Sequence, residues 1–170
     1  MSNCVVHTTW GFVGAAASEL GVAMIILPKR RAASIQQQLN RHVTHDSPKA
    51  TTYAREAVEL LQLYFARNKV NFDIPIDLSN VPSAQQRILM ELRNISYGAT
   101  TSYGKIANAA GKPGAARFAG QTLARNPTPL LLPCHRVIRT DGTLGGFSGG
   151  TTMKCQLLAL EGALLSEGAC

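Results

Sequence analysis

Apolar and polar positions follow two different rhythms along the 170-residue chain. Up to about residue 78 they mix strand-like and helical spacing. Residues 10–17 (Trp-Gly-Phe-Val-Gly-Ala-Ala-Ala) and 22–27 (Val-Ala-Met-Ile-Ile-Leu) read as two strands around a turn at 18–21, with Pro28 ending the second. Helices are expected at 31–41 and 50–67, the second carrying Ala54, Val58, Leu61 and Phe65 at helical spacing. Residues 71–78 alternate, which predicts a further strand leading into a linker. Residues 1–78 therefore read as a small α/β scaffold without chemistry of its own, and 79–170 as a second, mostly helical unit.

In that second unit Pro82 suits the first turn of a helix, with Ile88, Leu89, Leu92 and Ile95 on one face and Tyr97-Gly98 closing it. A short helix follows over 103–110 with Ile106 and Ala107 turned inward. Gly111 stands at its C′ position and Pro113 prevents its continuation. Another helix spans 114–125 and stops at Asn126-Pro127. Helix, tight glycine turn, helix is the helix-turn-helix outline. In the second of these helices Ala116, Ala119, Gly120 and Leu123 form a small packing stripe, opposite Arg117, Gln121 and Arg125. A basic stripe backed by small residues suits docking on DNA, although a solvated amphipathic helix has the same pattern.

Charge shifts that balance. The net charge is +7, and between Glu91 and Asp141 there is no acidic residue but seven basic ones: Arg93, Lys105, Lys112, Arg117, Arg125, Arg136 and Arg139. A one-signed field of this kind is what a phosphate backbone selects. No apolar run reaches the ~18 residues of a membrane span, and the N-terminus shows no secretory signal. The four cysteines (Cys4, Cys134, Cys155, Cys170) show no paired spacing, so neither a disulfide framework nor a zinc site is expected and a reducing interior fits best. The expected location is the cytoplasm, on nucleoid DNA, or the nucleus of a eukaryote.

The candidate chemistry starts at Leu130-Leu131-Leu132, read as a short buried strand or extended segment between Pro129 and Pro133, which delivers Cys134-His135-Arg136 to its end. A thiolate attacks electrophiles, and an imidazole plus the positive field of Arg136 and Arg139 would lower the thiol pKa. The last helix, expected over 154–165, sets Leu157, Glu161, Leu164 and Leu165 on one face. A carboxylate on an apolar face needs a partner, and His135 is the natural one: Glu161 would fix the imidazole and His135 would take the thiol proton. The alternative is that Glu161 turns to the rim and is merely solvated. The glycine-dense stretch 142–150 could wall a flat ligand and offer Ser148, or could be only a loose connection.

Residues 97–161 resemble the O6-alkylguanine-DNA alkyltransferase family. The resemblance is carried by Tyr97-Gly98-Ala99-Thr100-Thr101-Ser102-Tyr103, Gly114-Ala115-Ala116-Arg117, Arg125-Asn126-Pro127, Leu132-Pro133-Cys134-His135-Arg136-Val137 and Gly145-Gly146-Phe147-Ser148-Gly149-Gly150. It implies an α+β fold: a ribonuclease H-like N-terminal subdomain followed by a helical domain with a helix-turn-helix. It also implies DNA repair, with a damaged guanine flipped from duplex DNA and its alkyl group moved irreversibly to Cys134. By position, His135 and Glu161 would activate the cysteine and Asn126 would brace their turn. Tyr103 would assist flipping and hydrogen-bond the base, Arg117 would fill the vacated stack, Ser148 would contact the O6 side, and the Val137 carbonyl would receive the exocyclic amine. Gln121, Arg125 and Arg136 would add DNA contacts. No metal or cofactor is expected, and the partner is double-stranded DNA bearing O6-alkylguanine, met by a monomer, with cooperative loading left open. The chain departs from the family pattern at Phe147, where many relatives carry tyrosine, and at 81–85, which keep the family's glutamine but not its phenylalanine. Relatives that only bind lesions lack the acceptor cysteine, so Cys134 speaks against that reading. A plain helix-turn-helix regulator would form no adduct, and a Cys–His–Glu hydrolase would turn over an ester or amide.

Overall fold

The structure, a computed structural model, describes residues 1–41 and 47–163, and divides into two compact units, Met1–Asn80 and Val81–Cys170. The fold is mixed α+β, with six α-helices and two small sheets among the described residues. None of those helices is long and apolar enough to cross a membrane.

The first unit is an antiparallel meander of β1 (Ser2–Thr8), β2 (Gly11–Ser18) and β3 (Gly21–Lys29), followed by α1 (Ala32–Asn40) and α2 (Pro48–Phe65). β2 is buried without a break from Val13 to Ala17, so both faces of this central strand are covered. On one face Ala16 and Ile26 pack with Ile35 and Leu39 of α1. Gly14 makes that approach possible, because a Cβ there would lie 2.4 Å from the Ile35 side chain. Three expectations are corrected in this unit. β1 was not foreseen: its sequence Ser-Asn-Cys-Val-Val-His-Thr has no clean alternation, because it is an edge strand held by its pairing to β2. Pro28 does not end β3 but lies within it, tolerated because β3 is also an edge and needs no donor there. Residues 71–78 form no strand. They make one parallel bridge at Ile76 to Val22, with Val22 N donating to Pro75 O (2.8 Å) and Asp77 N to Val22 O (2.9 Å).

The second unit opens with α3 (Ser83–Glu91), capped by Pro82 rather than containing it, and continued by a 3-10 turn over Leu92–Asn94. The anticipated face Ile88, Leu89, Leu92 and Ile95 is buried. β4 (Thr101–Ser102) runs into α4 (Tyr103–Ala109), whose first turn is capped by Ser102 Oγ accepting from Lys105 N. Gly111 at φ +72° ends α4, and after a short turn α5 (Ala116–Ala124) packs back on it. β5 (Val137–Ile138) pairs in parallel with β4, Thr101 with Val137 and Ser102 with Ile138. That pairing ties the start of α4 to the segment carrying Cys134. α6 covers Thr151–Leu160, so the last helix begins three residues earlier than expected and ends before Glu161; Leu164 and Leu165 lie outside the described residues.

Candidate active site

Residues 129–132 are not the strand their hydrophobicity suggested. They form a tight buried turn in which Leu130 takes φ +76°, a conformation costly for a branched side chain and kept only where its surroundings impose it. Asn126 imposes it: its Nδ2 donates to Leu132 O (2.7 Å) and its Oδ1 accepts from Thr128 N (3.1 Å). Leu132 N donates back to Thr128 O, and Cys134 N to Leu132 O. The turn then enters a 3-10 segment, Cys134–Arg136, which presents the sulfur at a cavity of about 670 Å³.

The cavity is walled by Tyr103 from α4, by Ala116, Arg117, Gly120 and Leu123 from α5, and by residues 145–148 of the glycine stretch. The small stripe of α5 is thus split. Ala119 packs into the core, while Ala116 and Gly120 leave room in the cavity. Arg117, Gln121 and Arg125 are exposed as the spacing indicated, but only Arg117 reaches the cavity wall. Gly145 is required by contact as well as by its φ of +66°: a Cβ there would lie 2.7 Å from the Tyr103 hydroxyl. Tyr103 Oη donates to Gly146 O (3.4 Å), and burial raises its pKa. Ser148 and Phe147 both line the cavity, and the Phe147 ring lies edge-on to His135, centroids 6.4 Å apart.

Behind the sulfur is a buried polar cluster. Glu161, 6% exposed at the end of α6, accepts from His135 Nε2 (2.8 Å), Arg136 Nε (2.8 Å), Arg136 Nη2 (2.9 Å) and the Gly98 amide (3.2 Å). It does not turn to the rim. Burial alone would raise its pKa, but the hydrogen bonds and charges of His135 and Arg136 hold it at about 2. An ionised carboxylate can only accept, so the facing His135 Nε2 carries the proton. Burial pushes the His135 pKa down and keeps the ring neutral, and its Nδ1 finds no hydrogen-bond partner. The result is an imidazole oriented by a carboxylate, with an unused lone pair.

Arg136 is corrected. Expected at the DNA surface, it is 7% exposed, and its Nη1 donates to Ile95 O (2.6 Å) while its other nitrogens hold Glu161. It is a component of the buried cluster and has no free face for a phosphate. The expected low thiol pKa is also corrected. Burial of Cys134, 4% exposed, pushes its pKa up, against opposing contributions from Asn126, Lys154 and the local backbone amides. The resting group is a thiol.

The cation that opposes burial is neither Arg136 nor Arg139 but Lys154, which the sequence reading passed over. It is fully buried in α6 and donates Nζ to Val137 O (2.6 Å), Leu144 O and Gly146 O (3.4 Å). Its signal was present: Lys154, Leu157, Leu158 and Glu161 are spaced for one helical face. Val137, expected to offer its carbonyl to a ligand, already shares that carbonyl with Lys154. Cys155 is disulfide-bonded, against the expectation of unpaired cysteines, while Cys4 and Cys134 are free. No group of three or more metal-binding side chains occurs among the described residues.

Residues 83–163 match the family model described as 6-O-methylguanine DNA methyltransferase, DNA binding domain. A methylated-DNA–protein-cysteine methyltransferase of Mycobacterium bovis is 41% identical over 127 residues, covering 75% of this chain and 76% of that protein. Among solved structures, the O6-methylguanine methyltransferase of Mycobacterium tuberculosis is 36% identical, with 93% of this chain and 90% of that one covered and a TM-score of 0.73. Mycobacterium tuberculosis OGT in complex with DNA superposes over 94% of this chain and 92% of that one, at 34% identity and a TM-score of 0.75.

Proposed function

Because the chain belongs to the family of methylated-DNA–protein-cysteine methyltransferases, we propose that it repairs DNA by taking the alkyl group of an O6-alkylguanine onto its own Cys134. One group is taken per molecule. The observation that carries the proposal is the cysteine at an open cavity roomy enough to admit a base, with an imidazole oriented by Glu161 and a free ring nitrogen behind it.

The substrate is duplex DNA. α4 and α5 act as a helix-turn-helix, and the exposed Arg117, Gln121 and Arg125 of α5 face the nucleic acid. The buried sulfur cannot reach a stacked base, so the damaged nucleotide is flipped into the cavity, a step that costs least for a damaged pair. Arg117, exposed yet at the cavity wall, fills the gap in the stack. Ala116 and Gly120 leave space for the purine.

In the transfer, the Cys134 proton passes to the neutral His135, whose developing charge is stabilised by Glu161. The thiolate attacks the alkyl carbon, forming the S–C bond as the C–O6 bond breaks, and the electron pair stays on the purine. Tyr103 and Ser148 are the hydroxyl donors at the cavity wall for that departing charge, and one proton returns the base to neutral guanine. The thioether is stable and no group in the site reverses it, so the protein is consumed. The N-terminal unit, which we read as ribonuclease H-like, is scaffold. The protein acts as a monomer, at the cytoplasmic DNA or in the nucleus of a eukaryote.

Intact-protein mass spectrometry after incubation with a duplex containing O6-methylguanine tests this. The expected result is one added methyl group, mapped to Cys134 and absent from Cys134→Ser. Tight duplex binding without an adduct would overturn the reading and leave a binding protein.

A further inference from the structure

We propose that Lys154 is a positioning residue for the transfer, its buried ammonium acting as the counter-cation that meets the Cys134 thiolate as it forms. The proposal rests on the alkyl-transfer reading and adds a component to it.

A fully buried ammonium is normally neutralised by a carboxylate, because neutral partners compensate poorly for its lost hydration. Among the described residues Lys154 makes no salt bridge; its hydrogen-bond acceptors are the carbonyls of Val137, Leu144 and Gly146. These fix the ammonium in place without cancelling its charge. They also pull together the two chain segments that border the sulfur: Val137 follows the Cys134 turn, and Gly146 belongs to the glycine wall and also receives the Tyr103 hydroxyl.

The groups facing Lys154 are Cys134 and His135 from the 3-10 segment, Arg139 beyond β5, and the Tyr103 ring of α4, whose centroid is 5.8 Å from Nζ. His135 is held neutral, Arg139 repels, and the Tyr103 hydroxyl resists ionisation. Cys134 alone in this set can supply a negative charge under working conditions. Burial lowers the Lys154 pKa to about 8, so it still carries its proton at neutral pH, and a Cys134 thiolate raises it. The coupling is mutual: the ammonium favours the thiolate against burial, and the thiolate favours the ammonium. Alkyl transfer ends it, because a thioether carries no charge. The modified protein keeps a buried cation beside a sulfur that can no longer become its counter-ion, at the residue that holds the cavity wall.

The experiment has two arms. In the first, Cys134 ionisation without DNA is followed by thiolate absorbance, against a Cys134→Ser blank, in the wild-type protein, Lys154→Arg and Lys154→Gln. The midpoint is expected to rise in Lys154→Gln and to hold in Lys154→Arg, and an unmoved midpoint in folded Lys154→Gln would overturn the proposal. Intact mass after incubation of the wild-type protein with an O6-methylguanine duplex reports the adduct, so failure of the alkyl-transfer reading is seen separately. The second arm needs no DNA: the pH profile of Cys134 reacting with a small aromatic disulfide is compared across variants. Lys154→Met should move the profile to higher pH and slow the reaction at neutral pH by about tenfold, with recovery in alkali, while Lys154→Arg keeps the wild-type profile. An unmoved profile in folded Lys154→Met refutes the role. Should that variant not fold, the Lys154→Gln titration decides alone.

Discussion

Replacing Glu161 by glutamine removes a charge and almost no volume, so its effects isolate what the carboxylate does. Glu161 is buried and receives hydrogen bonds from His135, both faces of the Arg136 guanidinium edge and the Gly98 amide. A glutamine keeps one accepting oxygen and turns two N–H donors toward groups that are themselves donors. Two routes give the cost. Depriving a buried charge of its partner costs about 3–5 kcal/mol. Separately, a carboxyl held at about 2 against an ordinary 4.5 stabilises the fold by about 3 kcal/mol, at roughly 1.4 kcal/mol for each pH unit. The agreement sets the expectation at about 3 kcal/mol, a loss of roughly 6–12 °C in Tm for a chain of this size.

The sign of the pH dependence follows. A depressed carboxyl contributes fully above its unfolded pKa and loses its contribution as the pH falls through its folded value. Wild-type protein should therefore shed this increment between about pH 4.5 and 2, and Glu161→Gln should lack that step. The chemistry suffers separately, because His135 loses the anion that fixes its tautomer and stabilises its protonated form. A drop of about 10²-fold in the single-turnover rate on a methylated duplex is expected. Urea unfolding at several pH values and quenched single-turnover assays measure the two effects. A folded Glu161→Gln variant with the wild-type rate would remove the carboxylate from the mechanism, and unchanged acid unfolding would refute the depressed pKa.

Three further outcomes follow from the same geometry. Arg117→Ala should slow repair of duplex DNA far more than reaction with free O6-benzylguanine, since a stack-filling side chain has no task when the base is already free; equal losses in the two assays would exclude it. Asn126→Ala deletes both bonds that hold the Leu130 turn and leaves the Leu132 carbonyl and Thr128 amide buried without partners. It should cost about 2–4 kcal/mol in chemical denaturation and cut the transfer rate, and an unaltered rate would show the cysteine is placed by other means. Gly145→Ala forces a Cβ to within 2.7 Å of the Tyr103 hydroxyl at a left-handed φ. It should weaken reaction with both free base and duplex while Cys134 remains titratable by a small disulfide, so loss of that titration would mean the whole site had collapsed.

Much of this site was legible because its elements announce themselves locally. Pro82 starts α3 one residue on by fixing its own φ, Gly111 ends α4 two residues back by accepting a positive φ, and Pro113 stands in the turn between α4 and α5. Glu161 stood out because a carboxylate on the Leu157 face needs a partner, and the partner is His135 as the spacing implied. What escaped was set by partners distant in sequence. β1 exists through its ladder to β2, a pairing that its own residues do not encode. The Leu130-Leu131-Leu132 run looked like a strand because burial and extension give the same apolar signal, whereas the turn is made by the amide of Asn126.

The two misjudged cations show the same limit from the electrostatic side. Sequence reasoning assigns a basic residue near a cysteine to the thiol and a basic residue in an acid-free stretch to DNA, and Arg136 satisfied both descriptions. Its guanidinium fork instead matches the two oxygens of Glu161, a fit that a planar, always-charged group makes better than any other. Once Arg136 is committed to the carboxylate, the pair has little field left to offer the sulfur. A different cation must act there, one whose charge is not cancelled at short range. Lys154 meets that requirement because its partners are carbonyls, dipoles that hold an ammonium while leaving its charge uncompensated. The site thus separates two electrostatic tasks: Arg136 with Glu161 orients the imidazole, and Lys154 opposes the desolvation of the thiol. A sequence shows where cations stand along the chain, and only the fold shows which of them have already been neutralised.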